Sequence, residues 1–172
     1  MLNENKYLNL NSMKIVLVRH AKAVDRVEAL LQGIHDENRP LTIKGRKKFA
    51  DFVKQNKKLF EGADILACSE YLRAKQTIEV LITSAFKPSK APGYIKLPKI
   101  TPDDSPIHFL DWLKKVNYNY AIVVGHEPFI SHFLELVLSK DWDHQKIKKG
   151  SVITLQYLQG KFRLISVHHV KD

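Results

Sequence analysis

The chain has 172 residues, of which 44% are hydrophobic, and this composition suits one folded domain with a sizeable core rather than a disordered segment. Its 28 Lys and Arg residues outnumber its 18 Asp and Glu residues, so the net charge of +10 favours anionic partners. Cys68 is the only cysteine, which excludes an intramolecular disulfide and a zinc site built from several thiolates. With no apolar leader and no apolar run of about 18 residues, we expect a soluble cytoplasmic protein without a membrane span.

The first predicted strand covers residues 14–20, where an apolar run ends in an arginine and a histidine. Such a run is typical of a buried parallel strand that opens onto a site at its carboxyl end. Because Met13 stands directly before this run, we expect residues 1–12 to form a flexible N-terminal extension and residues 13–172 to form a single domain.

Two helices are predicted in the first half of the chain. From Thr42 as N-cap, apolar residues recur at helical spacing through Val53 among many lysines, which predicts an amphipathic and strongly basic helix. Residues 64–69 predict a second strand, and the apolar spacing of residues 74–85 predicts a helix directly after it, with Ser69 as its N-cap.

The alternation of strand and helix continues in the second half. Prolines across residues 88–106 predict a loop with at most a short strand near residues 94–97, and helical spacing resumes over residues 109–116. Residues 120–125 predict another buried strand, followed by a helix after Pro128.

The end of the chain predicts a different element, because two strand-like segments, residues 151–158 and 161–168, flank Gln159-Gly160 as in a β-hairpin. Four strand-to-helix units with helices on both faces predict an α/β fold. We expect a three-layer α/β/α sandwich with a mostly parallel central sheet and the hairpin at its edge.

Three polar clusters follow the predicted parallel strands: Arg19-His20, residues 69–73 and Gly125-His126. The carboxyl ends of parallel strands meet at one edge of a sheet, so we expect these clusters to converge there. Each cluster alone has an ordinary explanation as an edge histidine, a solvated arginine or a turn. Their recurrence in order at strand ends favours a shared site.

The residue types in these clusters suit phosphoryl transfer. Neutral imidazole is a competent nucleophile near neutral pH, so His20 can attack phosphorus and become phosphohistidine. Arg19 and Arg73 can hold the phosphoryl oxygens, and protonated His126 can donate to the same oxygens. We therefore predict a phosphatase with His20 as nucleophile.

Two other chemistries fit less well. A cysteine nucleophile with a downstream arginine is another phosphatase solution, but only four residues separate Cys68 from Arg73, where the familiar loop has five and is rich in glycine. We interpret Cys68 as buried strand packing. His168 and His169 are adjacent and would face opposite sides of a strand, so we expect no metal site and no cofactor.

Four motifs carry a family resemblance between about residues 14 and 168. They are Arg19-His20-Ala21, Arg39-Pro40-Leu41-Thr42 with Gly45, Ser69-x-x-x-Arg73-Ala74-x-Gln76-Thr77, and Val124-Gly125-His126-Glu127-Pro128. Together they resemble the histidine phosphatase superfamily, whose fold is phosphoglycerate mutase-like, and within it the SixA-type phosphohistidine phosphatases. Two departures are Glu70, where the superfamily often has proline, and Ala21, where glycine is commoner.

The resemblance implies that His20 is the phosphorylated nucleophile, that Arg19, Arg73 and His126 complete the phosphate pocket, and that Arg39 lies near its mouth. Larger members carry a general-acid glutamate in an insertion that this short chain lacks.

The nearest candidates for a general acid are Asp103 and Asp104, for which the alternative is an N-cap pair ahead of a helix at Ser105. A weak or absent acid would favour phosphohistidine as substrate, because a phosphoramidate leaves with less help than an alkoxide.

The predicted partners are a phosphorylated protein or a small phosphorylated compound, without nucleic acid or membrane. A phosphoglycerate mutase-like phosphotransferase is the alternative within the same fold. A non-catalytic module is the alternative from another class, with the basic helix at 44–58 and Lys146, Lys148 and Lys149 gripping RNA or an acidic protein.

Overall fold

The computed structural model describes residues 12–171. This part of the chain forms six strands and five α-helices: β1 (Ser12–Arg19), α1 (Arg26–Leu31), α2 (Ile43–Gln55), β2 (Ile65–Ser69), α3 (Leu72–Ala85), β3 (Ile95–Leu97), α4 (Pro106–Lys115), β4 (Tyr120–Gly125), α5 (Phe129–Leu138), β5 (Val152–Leu158) and β6 (Lys161–His168). The expected N-terminal extension lies outside the described residues except for Ser12, which already pairs with Leu158 in the sheet.

The six strands form one sheet in the order β3-β2-β4-β1-β5-β6. The first four strands along the chain are parallel, and β5 and β6 form the antiparallel hairpin at one edge. Phe49 of α2 and Ile78 of α3 pack on one face of the sheet, while Phe109 of α4 and Phe133 of α5 pack on the other. The predicted three-layer sandwich, its mostly parallel sheet and its terminal hairpin are confirmed.

The local predictions agree with the structure at the start of α2, differ from it at the start of α3, and omit α1. Thr42 is the N-cap of α2 as predicted, since its hydroxyl accepts from the Gly45 N–H at 2.9 Å. The helix predicted over residues 74–85 is present as α3, but its predicted N-cap is wrong, because Ser69 still belongs to β2 and Tyr71 is the N-cap. The helix α1 was not predicted, because only Ala29 of its six residues is buried and the apolar spacing is therefore uninformative.

Side chains of the sequence motifs hold the chain after β1 against α2 and α3. The Ala21 N–H donates to the Thr77 hydroxyl at 3.0 Å, and the Leu41 N–H donates to the Gln76 side chain at 2.8 Å. A Cβ atom at Gly45 would lie 2.2 Å from the Lys22 carbonyl oxygen, so this close approach requires glycine. These contacts fix the segment that directly follows His20.

Candidate active site

The register of β1 on β4 brings the two motif histidines together. Arg19 pairs with Gly125, so His20 and His126 leave the sheet side by side, and the His20 N–H donates to the Gly125 carbonyl at 3.0 Å. Their ring centroids lie 5.1 Å apart, and the residues are only 5% and 1% exposed. The predicted convergence of these two clusters is present in the fold.

The hydrogen bonds of His20 determine which ring nitrogen is available for attack. Its Nδ1 lies 2.8 Å from the Ala21 carbonyl oxygen, which can only accept, so Nδ1 carries the proton and Nε2 keeps its lone pair. Arg73 Nε donates to that Nε2 at 3.3 Å. Burial is the main cause that lowers the pKa of His20 to about 3. The hydrogen bond to Ala21 opposes this shift, and the charges of Arg73, Arg19 and Lys149 add to it. His20 is therefore neutral at neutral pH.

His126 presents two ring nitrogens that have no hydrogen-bond partner among the described residues, although both are buried. Its ring packs edge-on against Tyr71 with centroids 5.1 Å apart, which fixes its orientation. Burial, followed by the neighbouring His20 and Arg73, lowers the pKa of His126 to about 2. A buried polar group normally has a partner, so this ring is suited to bind a ligand oxygen beside His20.

Arg73 lies in the first turn of α3 and is 2% exposed. It donates from Nη1 to the Asp36 carbonyl oxygen at 2.6 Å and from Nη2 to the Asp36 carboxylate at 3.0 Å. The same carboxylate pairs with Arg39 at 2.9 Å and with Arg26 at 3.1 Å. Asp36 was not among the predicted site residues. The one signal for it in the sequence is that it is an acidic residue three positions before Arg39.

Asp36 therefore orients Arg73 toward His20, and Asp36→Asn is expected to lower kcat/KM about tenfold, because a small misplacement of a catalytic group is costly. Steady-state kinetics measure the effect. Glu37→Gln is the matched control, since it removes the same charge from the next, exposed residue. An equal loss of kcat/KM in both variants would contradict a specific role for Asp36.

The two other arginines flank the pair of histidines. Arg19 donates from Nη1 to the Ile147 carbonyl, and its buried Nε has no partner among residues 12–171. Arg39 is 8% exposed and donates to Asp36 and to the Val24 carbonyl, so these contacts hold its guanidinium in place. Arg39 is close enough for its charge to lower the pKa of His126.

The two candidate acids from the sequence differ in their surroundings. The Asp104 carboxylate accepts from the N–H and the hydroxyl of Thr101 at 2.8 and 2.6 Å, which engages it in the turn before α4. Ser105 is the N-cap of α4, so the alternative of an Asp103-Asp104 N-cap pair is wrong. Asp103 is exposed, and after burial and Asp36 its charge is among the causes that raise the pKa of Tyr71. Asp103 therefore acts electrostatically on Tyr71, whose ring packs against His126.

Glu127 is a further carboxylate at the site. It was not predicted to be a site residue, although it belongs to the motif Gly125-His126-Glu127-Pro128. Its Oε2 accepts from the Ser131 hydroxyl at 2.6 Å, whereas its buried Oε1 has no partner in the described part of the chain. Glu127 raises the pKa of Arg19, although burial of that arginine lowers it more. Its position directly after His126 was the signal that could have identified it.

Cys68 does not supply a nucleophile to this arrangement. Cys68 is fully buried in β2, and burial raises the pKa of its thiol to about 12, so it is not a thiolate near neutral pH. Within residues 12–171, no three His, Cys, Asp or Glu side chains are grouped as a metal site.

None of the helices in the same range is long and apolar enough to cross a membrane.

Comparison with known proteins identifies the family. Residues 15–90 match the model of the histidine phosphatase superfamily (branch 1). An uncharacterized protein of Picosynechococcus sp. (strain ATCC 27264 / PCC 7002 / PR-6) is 30% identical over 151 residues, which are 84% of this chain and 85% of that protein. The chain belongs to the histidine phosphatase superfamily. It is accordingly an enzyme of the histidine phosphatase class.

Solved structures show the same fold for this histidine phosphatase. The protein histidine phosphatase SixA complexed with tungstate is 21% identical with a TM-score of 0.72, covering 90% of this chain and 96% of that one. Phosphoglycerate mutase from Bacillus anthracis str. Sterne is 12% identical with a TM-score of 0.69, covering 91% of this chain and 92% of that one. The predicted phosphoglycerate mutase-like fold is confirmed.

The two buried histidines predict acid sensitivity of the fold. Their folded pKa values of about 3 and about 2 lie below the ordinary 6.5, so the unfolded chain binds more protons as pH falls. The free energy of unfolding should be fully retained above pH 6.5 and should fall as pH drops from 6.5 toward about 3. Urea unfolding at several pH values measures this slope. His126→Gln should reduce it and His108→Gln, at an exposed position, should not; equal slopes in all three proteins would contradict the assignment.

Proposed function

We propose that this histidine phosphatase hydrolyses phosphoryl compounds through a covalent phosphohistidine on Nε2 of His20. The observation that carries the proposal is the hydrogen bond from His20 Nδ1–H to the Ala21 carbonyl, because it leaves Nε2 unprotonated and therefore able to act as a nucleophile. Arg73 Nε lies 3.3 Å from that nitrogen, so a phosphoryl group bound there would meet a fixed cation.

The first step forms a bond between His20 Nε2 and phosphorus and breaks the bond from phosphorus to the leaving group, which departs with the electron pair and takes up a proton. In the second step water attacks the phosphohistidine, loses a proton, and releases inorganic phosphate with neutral His20. Arg19, Arg73 and His126 stabilise the charge on the phosphoryl oxygens in both steps. A bound phosphoryl dianion would favour protonated His126, which is otherwise neutral because of its burial.

Phosphohistidine on a protein is the substrate that this site favours. Of the candidate acids, Asp104 accepts from Thr101, Glu127 accepts from Ser131 through one oxygen, and Asp103 is exposed. An alkoxide needs a well-placed acid in order to leave, whereas an imidazole can leave neutral once its remote nitrogen is protonated. Among the described residues, no carboxylate forms a hydrogen bond with His20 or His126, which supports a phosphoramidate rather than an alkyl ester.

A comparison of leaving groups tests the proposed substrate. A phosphohistidine protein, an aryl phosphate and a simple alkyl phosphate are assayed with the same enzyme for kcat/KM. We expect the alkyl phosphate to be at least about 100-fold slower than the phosphohistidine protein, which is the lower value of general acid assistance. The aryl phosphate, whose leaving group needs less proton assistance, is the control for monoester binding. Comparable turnover of alkyl phosphate and phosphohistidine would overturn the assignment of substrate.

A further inference from the structure

A cavity of about 590 Å³ lies next to the catalytic residues, and Arg19 and Ala21 form part of its lining. The first turns of α2 form one wall, and the loop before β5 forms another. Seven of its lining residues are lysines that come from four parts of the chain: Lys22, Lys44, Lys48, Lys146, Lys148, Lys149 and Lys171. No carboxylate of the described residues lines it. The cavity is therefore strongly cationic.

Several of the lysines that line this cavity take part in no ion pair of the described residues. The ion pairs found within residues 12–171 involve none of Lys22, Lys44, Lys48, Lys146 and Lys149. Burial lowers the pKa of Lys149, and the charges of Arg19, Arg39 and Lys22 lower it further, while Asp25 opposes them weakly. Like charges held this close repel one another, so an anion bound among them would relieve the repulsion.

The shape of the cavity indicates a compact ligand. Its volume lies in the range of about 300 to 1,000 Å³ that is usual for small-molecule sites, and it is concave where a protein-docking surface is commonly flat. Lys44 and Lys48 are one helical turn apart on α2 and present two ammonium groups on the same face. Lysine ammonium groups bind phosphates as point charges. A chain of phosphates matches several point charges in a short distance better than a single phosphate does.

We infer that this cavity is a second anion site that binds a compact oligophosphate and shares Arg19 with the catalytic pocket. Binding here is separate from the hydrolysis proposed above, because it needs neither the lone pair of His20 nor a leaving group.

Isothermal titration calorimetry with inorganic tripolyphosphate and with orthophosphate tests the inference at low ionic strength. We expect wild-type protein to bind tripolyphosphate at least about 30-fold more tightly than orthophosphate. The double variant Lys44→Gln/Lys48→Gln should weaken tripolyphosphate binding about tenfold and orthophosphate binding about twofold or less. The matched control is Lys47→Gln/Lys54→Gln, which removes two charges from exposed positions of the same helix outside the cavity and should weaken binding by less than about twofold.

Equal weakening by the two double variants would overturn the inference, because it would show a general field of positive charge rather than a site. Binding of a hexaglutamate peptide as tight as that of tripolyphosphate would also overturn it, in favour of a docking surface for acidic protein. The titration does not depend on turnover. Failure of phosphohistidine hydrolysis would therefore refute the proposed function and leave the result for the cavity to be decided separately.

Discussion

Replacement of His20 by alanine should lower kcat on a phosphohistidine protein by about 10⁴-fold or more, as is found when the nucleophile of a covalent enzyme is removed. The reason is that Nε2 of His20 is the atom that bonds to phosphorus in the proposed function. Cys68 cannot substitute for it, since this thiol is fully buried with a pKa raised to about 12. Initial-rate measurements at saturating substrate give the comparison.

The control for this variant is His108→Ala, at an exposed position in α4, which should keep kcat within about twofold of wild type. A thermal unfolding curve of His20→Ala establishes that the variant is folded. Activity of the folded His20→Ala protein within tenfold of wild type would contradict the assignment of the nucleophile.

Conversion of Arg73 to lysine should lower kcat/KM about 100-fold although the positive charge is kept. Lysine is a point charge, whereas the guanidinium donates to His20 Nε2 and to Asp36 at the same time from fixed positions. The ion pair with Asp36, of which only the Arg73 side is buried, would also be weakened, so a lower Tm is expected. Steady-state kinetics and thermal unfolding of the same preparation separate the two effects.

Arg26→Lys is the matched control for Arg73→Lys. Arg26 pairs with the same Asp36 carboxylate at 3.1 Å, but its side chain is 72% exposed and lies outside the pocket. We expect its kcat/KM to change by less than about threefold. Similar losses in the two variants would show that the carboxylate, and not the guanidinium beside His20, determines the rate.

Much of this fold follows from local sequence patterns. Continuous apolar runs marked the buried strands, and their order with the intervening helices predicted a parallel sheet. In such a sheet Arg19-His20 and Gly125-His126 lie at the same edge. The pairing of Arg19 with Gly125 then brings the two histidine rings to 5.1 Å. Helix α1 could not be predicted in this way, since Val27, Leu30 and Leu31 are exposed apolar residues without a buried stripe.

The interactions within the site were less predictable than its members. Asp36 lies 37 positions from Arg73 in sequence, and only the folded chain shows that its carboxylate is shared by three arginines. Ser69 has the residue type of an N-cap, but its burial in β2 moves the start of α3 to Tyr71 and Leu72. Long-range ion pairs and the exact competition between strand and cap depend on tertiary contacts that residue spacing does not encode.

The phosphoryl group is proposed to transfer covalently to His20, and chemical quench of a single turnover tests this claim most directly. Enzyme is mixed with a radiolabelled phosphohistidine protein, quenched in alkali after a few milliseconds, and digested for mass spectrometry. We predict alkali-stable, acid-labile phosphate on His20 that forms and decays at rates matching turnover. Labelled phosphate on another residue, or turnover without any phosphorylated enzyme under conditions where the intermediate should accumulate, would contradict the claim.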